Sequence, residues 1–301
     1  DIKINIINEK INTQLPNNLV INDASINSKT IKKDDIFFAI KGKKKDGNKF
    51  IRQSFQNKAS LAVVNKIEKT LKNKRQIKVK NTLKFLTEAS KIFRKNINTK
   101  IISITGSCGK TTLKELLGNS LNKISKVSVS PRSYNNKYGV PLSLFNLKQT
   151  DRYGVLEVGM DKKGEIDYLT KIIQPDVSVI TNINYAHAKN FRNIKQIALA
   201  KSEIINNTKF DGFIVLNADD SFFKFHKKIA LRNNLNVISF GIKNKKSDFK
   251  LLKEEKYGKY FRINIKVNRF KKNFLISNNY QSNIYNILAA LAVMSIYINI
   301  L

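Results

Sequence analysis

Ile101-Ile102-Ser103-Ile104-Thr105-Gly106-Ser107-Cys108-Gly109-Lys110-Thr111-Thr112 is the stretch on which the fold turns. Ile101 to Ile104 reads as a strand, the glycines at 106 and 109 as a turn, and the apolar spacing through Leu121 as a helix. A strand, a glycine-rich turn, Lys-Thr and a helix make a phosphate cradle. Backbone N–H groups of the loop and of the helix N-terminus point at phosphate oxygens. Lys110 is placed to neutralise the β- and γ-phosphates of a nucleotide, and Thr111 to offer its hydroxyl to Mg²⁺. Gly106 and Gly109 let the backbone approach closely. The longer form of this loop has glycine six positions before the lysine; Ile104 stands there, so the loop is a shorter variant. Cys108 reads as a small neutral filler, since no neighbouring histidine activates it.

Outward from the loop, further strand patterns fall at Gly154–Val158, Val177–Ile180, Phe213–Leu216 and Val237–Phe240, with helical patterns between most of them. That alternation predicts a mostly parallel sheet with helices on both faces. Tyr260–Val267 and Phe270–Ile276, joined by a short turn, predict antiparallel strands at the sheet edge. Asn283–Ile298 predicts a closing helix. Upstream, Ile36–Ile40 followed by Lys41-Gly42 reads as strand and turn, Phe50–Lys58 as a short helix and Leu61–Val64 as a second buried strand. Leu83, Leu86, Ala89 and Phe93 give Thr82–Phe93 helical spacing, expected as a connecting helix. The fold class is therefore α/β in two domains: a small α/β module over 1–80 and a P-loop-type domain over 81–301.

The composition agrees with a folded chain. Of 301 residues, 42% are hydrophobic, which excludes a disordered protein, and one cysteine excludes a disulfide scaffold. The first residue is Asp1, which suggests a piece of a longer protein. The opening stretch, broken by Lys, Asn and Glu, does not read as a signal peptide. Ile284 to Leu301 is apolar but holds Asn286, Ser295 and Asn299, so it reads as a buried helix and not as a membrane span. A cytoplasmic protein is expected. The net charge of +34 comes from 56 Lys+Arg against 22 Asp+Glu. The basic residues are dispersed: Lys41 with Lys43 to Lys45, and Lys243 with Lys245 and Lys246, are short clusters without interleaved aromatics. They favour a general pull on anionic small molecules over nucleic-acid binding.

The short loop Thr105–Thr112, with Lys114-Glu115 after it, resembles that of the Mur ligases of peptidoglycan synthesis, and within them the D-alanyl-D-alanine-adding, MurF-type subfamily. Later segments fit in order: Asn135-Asn136 with Gly139-Val140-Pro141-Leu142; Glu157-Val158-Gly159-Met160 with Gly164-Glu165-Ile166; Asn182-Ile183 with Ala186-His187. Ile197-Ala198 with Ala200-Lys201-Ser202-Glu203-Ile204, then Leu216 to Asp220, then Asn283 to Ala290 complete the series. In the first module, Ser28-Lys29, Phe37 to Ile40 with Gly42, and Asp46-Gly47 with Phe50 resemble the family's UDP-binding domain.

The resemblance implies ATP-dependent amide formation. A UDP-N-acetylmuramoyl-tripeptide carboxylate is phosphorylated to an acyl phosphate, and the amine of D-alanyl-D-alanine attacks it. It implies residues 1–80 as the UDP-substrate domain, 81–301 as the central ATPase domain, and a C-terminal ligase domain expected to lie outside this chain. Residues 1–301 alone are then expected not to complete ligation. The cofactors implied are ATP and Mg²⁺, the partners those two substrates, and the state a monomer. Thr111 and Glu157 are implied to hold one Mg²⁺. His187 is implied to hold a second, aided by Lys201, which matches a lysine carbamylated by CO₂. Asn135, Asn136, Asn283 and Asn286 are implied to contact the nucleotide, and Ser28, Lys29, Gly42 and Asp46 the UDP substrate. His226, amid Lys and Phe, reads as an ordinary helix residue. Two alternatives remain: a diaminopimelate- or lysine-adding Mur ligase, against which the Gly-Val-Pro-Leu and Gly-Glu-Ile segments argue, and a non-catalytic basic protein binding nucleotide or nucleic acid. The salt slope of DNA binding discriminates the latter.

Overall fold

The computed structural model describes residues 1–185, 189–277 and 283–300. The chain divides into two compact units, Asp1–Ile97 with Pro141–Leu147, and Asn98–Val140 with Lys148–Leu301.

The first unit holds α1 (Ile2–Ile11), β1 (Ala24–Ser25), β2 (Ile36–Phe38), α2 (Ile51–Gln56), β3 (Leu61–Val64), β4 (Gln76–Lys78) and α3 (Thr82–Lys95). Its four strands lie in sequence order and all pair in parallel. Every residue of β2 and β3 is buried, so both faces of this small sheet are covered. On one face Phe37, Ala62 and Val64 meet Ile51 and Phe55 of α2. On the other, Phe38 meets Phe145 edge-on at 6.2 Å, and Phe145 meets Phe93 of α3 at 5.7 Å. The buried Lys3 ammonium lies 5.3 Å above the Phe145 ring and donates to the Asn22 carbonyl at 2.6 Å. Helix α3 packs on α1 and contributes Phe85, Leu86, Ala89 and Phe93 to this core. It is therefore part of the first unit, and the boundary falls at residue 97 where the sequence suggested 80. Helix α1 and the short strands β1 and β4 carried no distinct signal, because an isoleucine-rich run interrupted by Lys and Asn fits neither period cleanly.

The second unit opens with β5 (Lys100–Thr105) and α4 (Lys110–Leu121), followed by β6 (Val127–Val129) and α5 (Gly139–Phe145), whose residues from Pro141 on belong to the first unit. It continues with β7 (Tyr153–Glu157), α6 (Glu165–Ile173), β8 (Val177–Ile180), α7 (Ile194–Lys201), α8 (Glu203–Asn206), β9 (Phe213–Asn217), α9 (Phe223–Arg232) and β10 (Asn236–Gly241). Strands β11 (Phe249–Tyr257), β12 (Tyr260–Val267) and β13 (Phe270–Ser277) precede α10 (Ile284–Met294). Among the described residues the sheet has nine strands in the order β13-β12-β11-β10-β9-β8-β5-β7-β6, parallel from β6 to β11, with β12 and β13 antiparallel at the edge. The predicted antiparallel edge is present, and β11 extends it by one strand. Ile102, Ile104, Val177, Val179 and Val215 face Leu113 and Leu117 of α4 and Leu288 and Ala292 of α10. The alternate residues Ile101, Ser103 and Thr105 are equally buried, so the opposite face is covered too. No described helix is long and apolar enough to cross a membrane.

One feature of this topology positions the site. After β5 the chain runs to the edge strand β6, returns as β7 beside β5, and then crosses to β8 on the other side of β5. Loops leaving the carboxyl ends of β5, β7 and β8 diverge there and leave a crevice, where open α/β sheets take their ligands.

Phe145 is the chief apolar anchor of the short segment that returns to the first unit. Phe145→Ala is expected to cost about 3–5 kcal/mol, measured by urea denaturation; a loss below about 1 kcal/mol would contradict its place in this core.

Candidate functional site

The loop leaving β5 is built around two glycines at positive φ. Gly106 has φ +147°, and a Cβ there would stand 1.8 Å from Thr181 Oγ1 after β8. Gly109, at φ +84°, is the cap of α4 and offers no side chain to it. The first N–H groups of α4 therefore remain open, an arrangement suited to an anion. The loop is held from behind by the residues that follow β8. Thr181 Oγ1 donates to the Cys108 carbonyl at 2.6 Å, and Cys108 N–H donates to Asn182 Oδ1 at 3.0 Å. Ser107 Oγ donates to the Asn184 carbonyl at 3.0 Å and accepts the Asn184 N–H. The side chain of Asn286, on α10, donates to the Gly109 carbonyl at 3.2 Å. Asn283 stands at the cap of the same helix and makes no side-chain cap bond.

Two lysines converge on one acceptor. Lys110 Nζ donates to the Gly106 carbonyl at 2.9 Å, and Lys201 Nζ, from the end of α7, donates to the same oxygen at 3.1 Å. Lys201 is buried. Burial and the neighbouring charge of Lys110 push its ammonium down to about 7. At neutral pH a large share of Lys201 is thus a free amine.

Glu157 ends β7 behind the loop and is only 3% exposed. Its Oε2 accepts from Thr111 Oγ1 at 3.0 Å and from Lys114 Nζ at 3.2 Å; its Oε1 accepts from Asn135 Nδ2 at 3.0 Å. Burial alone would raise its pKa. The Asn135 bond, the Lys114 charge and the Thr111 bond outweigh that and hold it below the ordinary carboxylate range. Sequence reasoning assigned no role to Lys114. The signal was present: Lys114 lies three residues after Thr111, on the same helix face.

A cleft of about 810 Å³ opens in front of these groups, lined by Gly106, Ser107, Lys110, Asn135, Asn136 and Lys201 among others. Asn135 and Asn136 thus reach the cleft together, but their side chains serve different ends. That of Asn135 holds Glu157, and Asn136 Oδ1 accepts the N–H groups of Tyr138 and Gly139 at the start of α5. Thr112 is exposed on the first turn of α4. His187 lies outside the described residues. His226 is a buried structural histidine, its Nε2 3.0 Å from the Ala198 carbonyl. In the first unit, Ser28 is buried and donates to Gln53 Oε1 at 2.6 Å, while Lys29 is exposed. Gly42 N–H closes a turn on the Lys45 carbonyl at 2.8 Å, and Asp46 caps the turn Gly47–Phe50. These two loops follow the carboxyl ends of the adjacent strands β1 and β2.

Glu157→Ala leaves the Lys114 ammonium buried without a counter-charge and is expected to cost about 3–5 kcal/mol in urea denaturation. The double variant Glu157→Ala/Lys114→Met should recover most of that loss; equal losses in single and double variants would show that the two groups are not coupled.

Residues 104–294 match the Mur ligase middle domain family. The UDP-N-acetylmuramoyl-tripeptide–D-alanyl-D-alanine ligase of Buchnera aphidicola subsp. Acyrthosiphon pisum is 36% identical over 249 residues, 83% of this chain and 52% of the relative. A crystal structure of MurF from Acinetobacter baumannii superposes with a TM-score of 0.82 at 26% identity, over 99% of this chain and 65% of that one. MurF ligase from Thermotoga maritima in complex with ADP gives a TM-score of 0.77 at 29% identity, over 93% and 64%. The chain spans about half the length of the curated relatives it matches. With well over half of its residues matched, the chain belongs to the Mur ligase family.

Proposed function

We propose that this chain carries the nucleotide-substrate unit and the ATPase unit of a ligase that adds D-alanyl-D-alanine to UDP-N-acetylmuramoyl-tripeptide. The observation that carries the reading is the convergence of Lys110 and Lys201 on the Gly106 carbonyl beside the open N-terminus of α4. The names of the relatives and the ADP bound in the Thermotoga maritima structure support it. ATP would supply the phosphoryl group that activates the substrate carboxylate, and Mg²⁺ would neutralise the charge that develops on it.

The residues do the rest by placing charge. Lys110 would leave the Gly106 carbonyl and turn to the phosphates, while the amides of 109–112 hold them. The donor set fits a hard cation. The Thr111 hydroxyl and the Glu157 carboxylate are neighbouring oxygen donors, and no cluster of three His, Cys, Asp or Glu side chains forms among the described residues. The remaining positions would fall to phosphate oxygens and water. Lys201, carbamylated at its free amine, would become an anion and with His187 hold a second Mg²⁺. The loops of Ser28-Lys29 and of Gly42 to Asp46 would take the UDP moiety, with the exposed Lys29 as its cation. Such chemistry belongs in the cytoplasm, where ATP is available.

Two outcomes are expected. In the full-length gene product, ADP release should depend on both UDP-N-acetylmuramoyl-tripeptide and D-alanyl-D-alanine, and Lys110→Ala should lower it by about 100-fold or more. Release indifferent to either substrate would refute the reading. With ¹³C-labelled bicarbonate, a carbamate resonance should strengthen from pH 6 to pH 8 as Lys201 deprotonates about its pKa near 7, and vanish in Lys201→Arg. A signal that weakens as the pH rises would contradict the free-amine assignment.

A further inference from the structure

Three lysines and one carboxylate lie at the loop. Lys110 and Lys201 share the Gly106 carbonyl, while Lys114 is 2% exposed and paired with Glu157. This buried ammonium also donates to the Pro131 carbonyl at 3.4 Å, from the segment after β6. Thr111 and Lys114 reach the same carboxylate oxygen from one face of α4, Asn135 takes the other oxygen, and the Glu157 backbone N–H donates to Ser130 Oγ at 3.2 Å. The Glu157 side chain is thus fixed on both oxygens, and its charge is already met by a cation that water cannot screen.

We propose that Lys114 is a positioning residue that holds Glu157 and keeps a divalent cation from loading until nucleotide arrives. This rests on the nucleotide reading above. Without polyphosphate, an incoming Mg²⁺ at Glu157 meets a carboxylate whose charge Lys114 offsets, with the Lys110 ammonium nearby, and the Thr111 hydroxyl has its proton turned toward Glu157. The phosphates of a nucleotide reverse that balance: Lys110 gains an anionic partner, and phosphate oxygens supply most of the ligands. Affinity of such oxygen sites follows the number of anionic ligands, so offsetting one of them weakens the metal-only state most. Lys114 has no route to the phosphates themselves, being buried behind Glu157 on the second turn of α4.

The test is Mn²⁺ binding, read from the free-ion electron paramagnetic resonance signal at pH 8, with and without ADP, on the whole 301-residue chain. The wild type should bind Mn²⁺ strongly only with ADP. Lys114→Met should raise the affinity for Mn²⁺ alone by about tenfold or more, and adding Glu157→Gln should abolish that gain. Lys114→Arg, which keeps the charge, should behave as the wild type. A metal-only affinity in Lys114→Met that is unchanged or lower would overturn the proposal, and a merely structural lysine predicts that result. If Lys114→Met does not fold, the wild type decides: Mn²⁺ alone binding within about threefold of its affinity with ADP, and lost in Glu157→Gln, overturns the proposal equally. Absence of ADP-dependent Mn²⁺ binding in every variant overturns it together with the nucleotide site. Failure of the ligase reading shows separately, as ADP release that ignores the two substrates.

Discussion

The carbonyl of Gly106 is the point on which the second unit is organised. It is presented to two lysines because residue 106 adopts φ +147° and lies against Thr181, a conformation and a distance that only glycine allows. From that point Thr181 and Asn182 hold the loop from β8, Asn286 holds Gly109 from α10, and Lys201 arrives from α7. Three elements distant in sequence thus meet at one backbone turn. The strand order makes this possible, because the reversal at β5 opens the sheet where those loops emerge.

Charge is managed by burial more than by number. The +34 of the chain is spread over the surface, and solvent screens most of it. Lys114 and Lys201 are withdrawn from water, and their chemistry diverges accordingly. Lys114 stays paired with Glu157. Lys201 shares a neutral carbonyl with another cation, and its ammonium is destabilised until proton loss becomes easy near neutral pH. Two lysines on different helices therefore become, respectively, a fixed counter-ion and an ammonium that loses its proton easily.

Much of this was legible from local pattern. The strand–loop–helix at 101–121, the parallel strands around it and the antiparallel edge all follow from apolar periodicity and glycine placement, which act over a few residues. Local pattern is a poor guide where an element is short or supported from afar. Strand β6 has three residues and lives by pairing with β7, and α3 looks like a connector until Phe93 is seen beside Phe145, far along the chain. The same holds for side chains. Asn135 and Asn136 are adjacent and chemically alike, yet one serves Glu157 and the other the start of α5.

By itself the sequence determined the strand, glycine-rich loop and helix at 101–121, the α/β class and the ordered motifs by which the chain resembles its family. These depend on residue type and spacing, which the chain states directly. Only the tertiary structure decided that Lys201 reaches Gly106 across ninety-five positions, that Lys114 is a buried partner of Glu157, and that His226 is core. A lysine's charge, proton affinity and reach are set by what surrounds its ammonium. Those surroundings come from strands and helices that the sequence keeps far apart.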